Sequence, residues 1–224
     1  MFEFKVHSVR FFTSDIFEIA LVRGDYDFEP GHCAVLFDDH GNSRPYSIAS
    51  GVEEPVLKFL LRRFTGGVLS NWLAERNPGD RVCVSLPFGS FRTASAAGPV
   101  VFVATGVGIS PFLSALRSDG FGAESVHCLY GVRRLEDAVP VSMPENRVEL
   151  HLAVSREQIS GSFHGRVTDL LPTFSFPEDA SYYLCGCDAM IDEVYDLLCA
   201  RGVSSWEIHT EVFFNSEDRG VLTA

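Results

Sequence analysis

Positive charge is scarce in this sequence, and no long apolar run is present. Its 18 lysines and arginines stand against 30 aspartates and glutamates, a net charge of −12. That balance disfavours nucleic acid and anionic membranes as partners. No apolar stretch reaches the roughly 18 residues that a membrane span needs. Residues 1–5 alternate apolar and polar side chains, unlike a signal peptide. We therefore expect a cytoplasmic protein with no nucleic-acid or membrane partner.

Metal-site spacing is also missing. The six cysteines lack the C-x4-C-x2-C pattern of plant-type iron–sulfur clusters, and the one close pair is Cys185 and Cys187. The seven histidines show no His-x3-His spacing. We therefore expect reduced, buried thiols and no metal ion. No serine stands in a nucleophile-elbow pattern, so hydrolysis by a catalytic triad is not expected.

The first part of the chain has the pattern of an antiparallel β domain. Apolar and polar residues alternate over 2–6 and 17–21, as in half-buried strands. Further strands fit residues 31–37, 44–50, 55–63 and 81–86, and a short helix fits 69–76. Six antiparallel strands and one helix predict a closed β-barrel over residues 1–95, since closure leaves no exposed sheet edge.

From residue 98 to 224, apolar runs alternate with helical stretches. The runs are 100–104, 126–130, 150–154, 182–185 and 206–209, and the clearest helices are 110–117 and 188–201. This alternation predicts an α/β domain with a five-stranded parallel sheet covered on both faces. Ligands of such sheets bind beyond the carboxyl ends of the strands. Residues 105–111, 131–134, 155–157 and 186–188 fall at those ends.

Three motifs carry groups suited to phosphate-bearing cofactors. The segment 44–50 (RPYSIAS) places a cation, a flat aromatic ring and hydroxyls on one strand, which suits a planar cofactor. Residues 66–70 (GGVLS) form a glycine turn into a helix, whose first amides are an anion site. Residues 105–111 (TGVGISP) form a glycine-rich turn whose amides can approach a pyrophosphate, although this is not the Gly-x-Gly-x-x-Gly of ordinary dehydrogenases. Two dinucleotide-like ligands on one chain indicate an electron-transfer enzyme.

One further pair of residues bears on the choice of coenzyme. Ser155 and Arg156 place a hydroxyl beside a guanidinium. This pair suits the 2′-phosphate of NADPH, because arginine offers charge-assisted, bidentate contacts. Arg133, Arg134 and Arg166 are possible helpers. The alternative is that Arg156 is an ordinary exposed loop residue.

These motifs follow the order that they have in the ferredoxin–NADP(+) reductase family, which the chain resembles over nearly its whole length. The matching segments are 44–47, 66–70, 87–91, 105–111, 154–157, 184–186 and 211–213. The resemblance implies bound FAD, with FMN the lesser candidate, and NADPH as coenzyme, with NADH the alternative. Residues 154–166 look like those of bacterial members that use NADPH.

The resemblance also implies a role for individual residues. Tyr46 would lie flat on the isoalloxazine, with Ser47 near flavin N5. The implied flavin-binding residues are Arg44, Tyr46, Ser47, Leu60, Leu61, Arg62, Gly67, Val68, Leu69, Ser70 and Phe213. The implied coenzyme-binding residues are Thr105, Gly106, Gly108, Pro111, Ser155, Arg156, Cys185 and Gly186. The implied catalytic residues are Ser47, Cys185 and Glu211, which would adjust geometry and polarity at the reacting rings.

The function that follows is hydride transfer between NADPH and bound FAD, with single electrons passing to or from ferredoxin, flavodoxin or another one-electron acceptor, by a monomer. Two alternatives stay open. One is an NADH-dependent reductase component of an oxygenase or a free-flavin reductase, because the ending around 211–213 looks similar to such chains. The other is a flavin-binding electron-relay subunit of a larger complex.

Five arginines bear on how such an acceptor would dock. They are clustered in the sequence: Arg62, Arg63, Arg76, Arg81 and Arg92. Gathered on one face, they would attract an acidic partner protein. The alternative is a set of scattered, solvated side chains.

Overall fold

A computed structural model describes residues 1–93, 98–119, 121–141, 148–177 and 179–212. The predicted linker at 94–98 falls largely outside these ranges, and so does Phe213. Two sheets of six strands each make up the described part. None of the helices in these ranges is long and apolar enough to cross a membrane.

The first sheet is the predicted barrel. Its elements are β1 (Phe2–Phe11), β2 (Ile16–Val22), β3 (Cys33–Phe37), β4 (Ser43–Ser47), β5 (Val56–Arg62), α1 (Val68–Ala74) and β6 (Arg81–Val84). The strands run in the order β4-β3-β6-β1-β2-β5, and every pair is antiparallel. A bridge between Ile48 and Phe59 joins the two outer strands and closes the ring. The prediction of a six-stranded antiparallel barrel is confirmed.

The barrel forms because alternate side chains of its strands share one interior. Phe17, Ile19 and Leu21 of β2 are fully buried there, as is Phe59 of β5. Burial of one such side chain contributes about 1.5–3 kcal/mol. Helix α1 packs Leu69 and Leu73 into the same core. This packing fixes the start of α1 beside the end of β5, where the site lies.

The second sheet is wholly parallel. Its elements are β7 (Val100–Thr105), α2 (Ser110–Arg117), β8 (Val126–Val132), β9 (Val148–Val154), β10 (Phe163–His164), α3 (Val167–Leu170), β11 (Ser181–Gly186), α4 (Asp188–Ala200) and β12 (Ile208–Val212). The strand order is β10-β9-β8-β7-β11-β12. The sheet has six strands where five were predicted. The extra strand, β10, has only two residues, too few to show any periodicity.

The two domains share a core. Ile16, Ala49 and Leu60 from the barrel pack in one cluster with the buried face of α2. Polar contacts fix the same interface: Ser114 Oγ donates to the carbonyl of Ser50 at 2.8 Å. These contacts fix the position of the barrel relative to the parallel sheet, and so the shape of the cleft between them.

Candidate functional site

A cleft of about 1140 Å³ runs between the barrel and the carboxyl edge of the parallel sheet. Most of the predicted cofactor-binding residues line it: Arg44, Tyr46, Ser47, Leu60, Leu61, Arg62, Gly67, Val68, Leu69, Ser70, Thr105, Gly106, Gly108, Ser155, Arg156 and Gly186. Pro111 and Cys185 are buried and are not among the residues lining the cleft. Phe213 lies outside the described residues. The fold thus gathers segments far apart in sequence along one cleft.

The barrel wall of the cleft combines an aromatic ring with a buried hydroxyl. Tyr46 and Ser47 are the last two residues of β4, and Ser47 is 2% exposed. Burial raises the pKa of Tyr46 to about 12, although nearby Arg44 acts in the opposite direction. The phenol is therefore neutral at physiological pH. This wall offers a flat, uncharged ring beside one polar atom.

The start of α1 lies on the same wall. Gly67 is its N-cap and has no side chain that could form a capping hydrogen bond with the amides that follow. The first turn of a helix has N–H groups without an intrahelical acceptor. Here the turn of Val68, Leu69 and Ser70 lines the cleft, so its amides can serve an anion.

The opposite wall is the turn between β7 and α2. The hydroxyl of Tyr130 donates to the carbonyl of Gly106 at 3.0 Å, and Thr105 Oγ1 accepts from the backbone N–H of Cys187 at 3.1 Å. Gly106 has φ +54°, and within the described ranges an added Cβ would have no atom closer than 4 Å. A Cβ on Gly108 would lie 2.5 Å from the carbonyl oxygen of Cys185. Gly108 thus has a packing requirement of its own, besides the predicted approach of a ligand.

The predicted catalytic residues meet at the carboxylate of Glu211. Ser47 Oγ donates to its Oε2 at 2.7 Å, and Cys185 Sγ lies 3.8 Å from the same oxygen. Cys33 Sγ lies 2.9 Å from Oε1 and 3.6 Å from Ser47 Oγ. Cys33 is not among the site residues predicted from the sequence. An isolated cysteine has no local signal, and its position opposite Ser47 follows only from the pairing of β3 with β4.

Burial decides the protonation of this cluster. It raises the pKa of Glu211 above its usual value, even though hydrogen bonds from Cys33, Ser47 and Cys185 act in the opposite direction. Burial and the neighbouring carboxylate also raise the pKa of Cys33 and of Cys185. Both thiols are therefore protonated donors at physiological pH. Glu211 therefore retains its proton to a higher pH than an ordinary glutamate does.

Cations gather where β8, β9 and β10 end. Arg133, Arg156 and Arg166 are exposed and line the cleft beside Ser155. Arg134 differs: its guanidinium lies 3.3 Å from Glu157, and it is not among the residues lining the cleft. This end of the cleft therefore has the positive charge and the hydroxyl that suit a phosphate group.

The five arginines considered for docking do not form an unopposed basic face. Most lie beside a carboxylate: Arg62 by Asp137 at 3.7 Å, Arg76 by Asp80 at 3.8 Å, Arg92 by Glu29 at 3.5 Å, and Arg81 by Glu3. Arg63 instead stacks over the ring of Phe11, 5.2 Å from its centroid. These contacts favour the alternative of scattered arginines. The sequence could not reveal them because several of the acids are distant along the chain.

The chain is similar in sequence to reductase components of bacterial oxygenases. It is 32% identical over 204 residues to the anthranilate 1,2-dioxygenase electron transfer component of Acinetobacter baylyi, a match covering 85% of this chain and 59% of the relative. It is 29% identical to the ferredoxin–NAD(P)(+) reductase component of naphthalene 1,2-dioxygenase/salicylate 5-hydroxylase systems from Ralstonia, covering 85% and 62%. The chain therefore spans about three fifths of the length of these curated relatives. No family model matches it.

Solved structures show the same fold. A ferredoxin NADP+ reductase from Neisseria gonorrhoeae with bound FAD and NADP superposes with a TM-score of 0.85 at 21% identity, covering 95% of this chain and 98% of the other. A ferredoxin reductase in carbazole 1,9a-dioxygenase gives a TM-score of 0.79 at 26% identity, covering 95% and 69%. The sequence matches and the fold together support the resemblance to the ferredoxin–NADP(+) reductase family.

Proposed function

We propose that this protein is a flavin-dependent oxidoreductase that takes hydride from a nicotinamide dinucleotide and passes single electrons to a separate acceptor protein. The observation that carries the proposal is one cleft, of about 1140 Å³, with walls from both domains. Cavities for one drug-sized ligand measure about 300–1,000 Å³. A larger cleft with an aromatic wall and a cationic end suits two cofactors side by side.

The barrel wall fits FAD. Tyr46 offers a flat ring, Ser47 a buried hydroxyl, and the uncapped first turn of α1 an anion site for the diphosphate, with the exposed Arg44 as a counter-charge. FMN is the lesser candidate because it has a single phosphate. When bound, the flavin supplies the link between two-electron and one-electron chemistry.

The protein's own contribution is placement and polarity. Glu211 accepts the Ser47 hydrogen bond at 2.7 Å and thereby fixes the orientation of that hydroxyl. The protonated thiol of Cys185 lies beside the same carboxylate and adds no charge. Hydride transfer needs reacting atoms within about 3–3.5 Å. A small neutral side chain behind the cleft wall leaves room for a nicotinamide ring to stack there.

The coenzyme end of the cleft favours NADPH. Ser155 and Arg156 would bind its 2′-phosphate, with Arg133 and Arg166 close by. NADH is the alternative, since one curated relative is named as an NAD(P)(+) reductase component. Removing one charge-assisted contact costs about 1.5–3 kcal/mol. Arg156→Ala should therefore lower kcat/KM for NADPH about 10-fold to 100-fold and leave that for NADH unchanged.

Steady-state reduction of ferricyanide with each coenzyme tests this assignment. Arg134→Ala is the matched control, because its side chain pairs with Glu157 and does not line the cleft. An equal loss for NADPH in both variants would contradict the role of Arg156. A wild-type preference for NADH that Arg156→Ala leaves unaltered would favour the NADH-dependent reading.

The electron acceptor is a protein with a one-electron centre, such as ferredoxin, flavodoxin or an oxygenase component. Relatives named as electron transfer and reductase components of dioxygenases support this class of partner. Action as a monomer and a cytoplasmic location stay predictions. Turnover of an artificial acceptor by the isolated chain distinguishes a self-sufficient reductase from a subunit that works only inside a complex.

The flavin assignment has its own test. Tyr46→Ala removes the ring from the barrel wall, so the variant should release its flavin more readily and show a shifted absorption spectrum. The purified protein is examined by chromatography of the released flavin and by visible absorption. Tyr195→Ala, a substitution on α4 away from the cleft lining, is the control. An unchanged spectrum and unchanged retention in Tyr46→Ala would remove Tyr46 from the site.

A further inference from the structure

Two histidines and a glutamate form a second polar cluster, away from the cleft. His127 lies on β8, and Glu149 and His151 lie on β9. In the parallel pairing His127 is opposite Glu149, and His151 follows two positions later. Side chains two apart on a strand share a face, and neighbouring strands lie about 4.8 Å apart. The sheet itself thus brings the three side chains together.

The nitrogen atoms of this cluster converge on one carboxylate oxygen. His127 Nδ1 lies 3.4 Å and His151 Nε2 lies 3.6 Å from Glu149 Oε2. One potential ligand atom from each of the three residues lies within 4.8 Å of the other two. Ligands about 2.0–2.1 Å from a tetrahedral Zn²⁺ are separated by about 3.3 Å. The two nitrogen–oxygen distances already match that separation to within a few tenths of an ångström.

Neither of these two ring nitrogens forms a hydrogen bond with any of the described residues. His127 Nδ1 and His151 Nε2 are both buried and make no hydrogen bond there. Their polar neighbour, Glu149 Oε2, lies at ion-pair distance without forming a hydrogen bond. A buried polar atom that makes no hydrogen bond is costly, and each such atom in a folded protein calls for an explanation. Here both atoms point toward the same place, which a cation would satisfy at once.

The surroundings suit an ion with an open coordination position. The ring of Phe174 contacts His151 at a centroid distance of 4.3 Å, and Phe176 lies 5.9 Å from His127. These rings cover the imidazoles on one side. The side chain of Glu149 is 69% exposed, against 21% for His127. Solvent therefore reaches the carboxylate side and can supply water as a further ligand.

We propose that His127, Glu149 and His151 bind a divalent transition-metal ion, Zn²⁺ foremost, through two imidazoles and one carboxylate. Imidazole and carboxylate are ligands that Zn²⁺ uses, and three protein ligands leave one position for water. The site joins β8 to β9 near their amino ends. His127 is four residues before Gly131 of the cleft, about 13 Å at 3.3 Å per residue. The ion is therefore distinct from the cofactors of the proposed function.

Zinc titration of the metal-free, flavin-bearing protein against a chromophoric chelator tests the site. The wild type should bind one equivalent, and Zn²⁺ should raise its unfolding temperature. Glu149→Gln and His127→Gln should each weaken binding at least about tenfold, because loss of residues that merely support a ligand already costs 10- to 100-fold. His7→Gln, an exposed histidine of β1, is the control and should bind as the wild type does.

Two outcomes would overturn the proposal. One is a zinc affinity in Glu149→Gln equal to that of the wild type. Because the Glu149 side chain is exposed, this variant should fold even if His127→Gln does not. The other is binding through sulfur, since Cys33 and Cys185 beside Glu211 form a competing set of donors. Co²⁺ distinguishes the two sites, because thiolate ligation adds a charge-transfer band that imidazole and carboxylate do not. A Co²⁺ spectrum without that band, lost in Glu149→Gln, supports the His127 site.

Discussion

Cys33 of β3 and Glu211 of β12 are 178 residues apart in the chain, yet Cys33 Sγ lies 2.9 Å from Glu211 Oε1. The contact joins the barrel to the parallel sheet at the floor of the cleft. Ser47 reaches the other carboxylate oxygen at 2.7 Å. Both domains thus contribute to the protonation of one carboxyl group. The pKa of Glu211 therefore depends on the balance between burial, which raises it, and the hydrogen bonds from Cys33 and Ser47, which lower it.

Removing the Cys33 donor should raise the pKa of Glu211 further. The thiol hydrogen bond lowers that pKa, whereas burial raises it and is the larger effect. In Cys33→Ala the burial remains and one donor is lost, so the carboxyl should ionise at a higher pH than in the wild type. Carbon-13 NMR of labelled glutamate follows the titration. Cys33→Ser, which keeps a donor, should lie closer to the wild type.

The control for this substitution is Cys199→Ala, an exposed cysteine on α4. It should leave the titration of Glu211 unchanged. A Cys33→Ala titration that coincides with the wild type would mean that the thiol does not donate to Glu211 in solution.

Glu211 should also make stability depend on pH. Its pKa is higher in the folded protein than the unfolded value of about 4.3. The folded state therefore binds the proton more tightly, and the wild type loses stability as pH rises through the folded pKa. Glu211→Gln has no such titration. Its free energy of unfolding relative to the wild type should increase as the pH rises from about 4.3 to the folded pKa, and stay constant below and above that range. Urea unfolding across this range measures the difference, and a constant difference throughout would contradict the raised pKa.

The alternation of apolar and polar residues predicted most of the fold, because the apolar residues of each long strand mark the face that the strand buries. Phe17, Ile19 and Leu21 alternate in the sequence and are all buried in the barrel. The parallel strands appear as short apolar runs for the same reason. The two-residue strand β10 has too few side chains for any pattern. Its place in the sheet depends on pairing with Ala153 and Val154, which is information outside the segment.

Local motifs in the sequence selected residues that line the cleft, whereas a residue whose place depends on tertiary pairing was missed. The segments that include Tyr46 and Gly106 have recognisable neighbours along the chain, and both residues line the cleft. Cys33 belongs to no motif. The pairing of β3 with β4 places it opposite Ser47, and it contacts Glu211 of β12 across the two domains. The cluster of His127, Glu149 and His151 was not predicted from the sequence for a related reason. A search for two histidines on one helix misses His127 and His151, which neighbouring strands bring together.

The two glycines of the β7–α2 turn should respond differently to alanine. A Cβ on Gly106 would meet no atom of the described residues within 4 Å, so the cost is the left-handed backbone at φ +54°, about 1–2 kcal/mol. A Cβ on Gly108 would lie 2.5 Å from the Cys185 carbonyl oxygen and 2.6 Å from Gly186 Cα, both backbone atoms. Gly108→Ala must therefore displace the turn from β11, and its cost should exceed that of Gly106→Ala.

Urea unfolding of the two variants gives their order. Measured without flavin and coenzyme, the same comparison distinguishes a loss of packing at Gly108 from a loss of ligand binding. Gly108→Ala should be destabilised even in the flavin-free protein without coenzyme. Equal losses in both variants would mean that the turn and β11 do not pack closely in solution.

The contact between Arg117 and the barrel should contribute measurably to stability. Its guanidinium donates to the carbonyl of Ala49 at 2.9 Å and lies 3.4 Å from Glu18 Oε2, with the Arg117 side chain 16% exposed. Arg117→Ala leaves a buried carbonyl and a carboxylate without this partner, so it should lower the free energy of unfolding by about 2–3 kcal/mol. Arg81→Ala removes a pair whose arginine is 66% exposed and should cost at most about 1 kcal/mol. Equilibrium urea unfolding compares the two. Losses of the same size would show that the contacts of Arg117 contribute no more to stability than an exposed ion pair does.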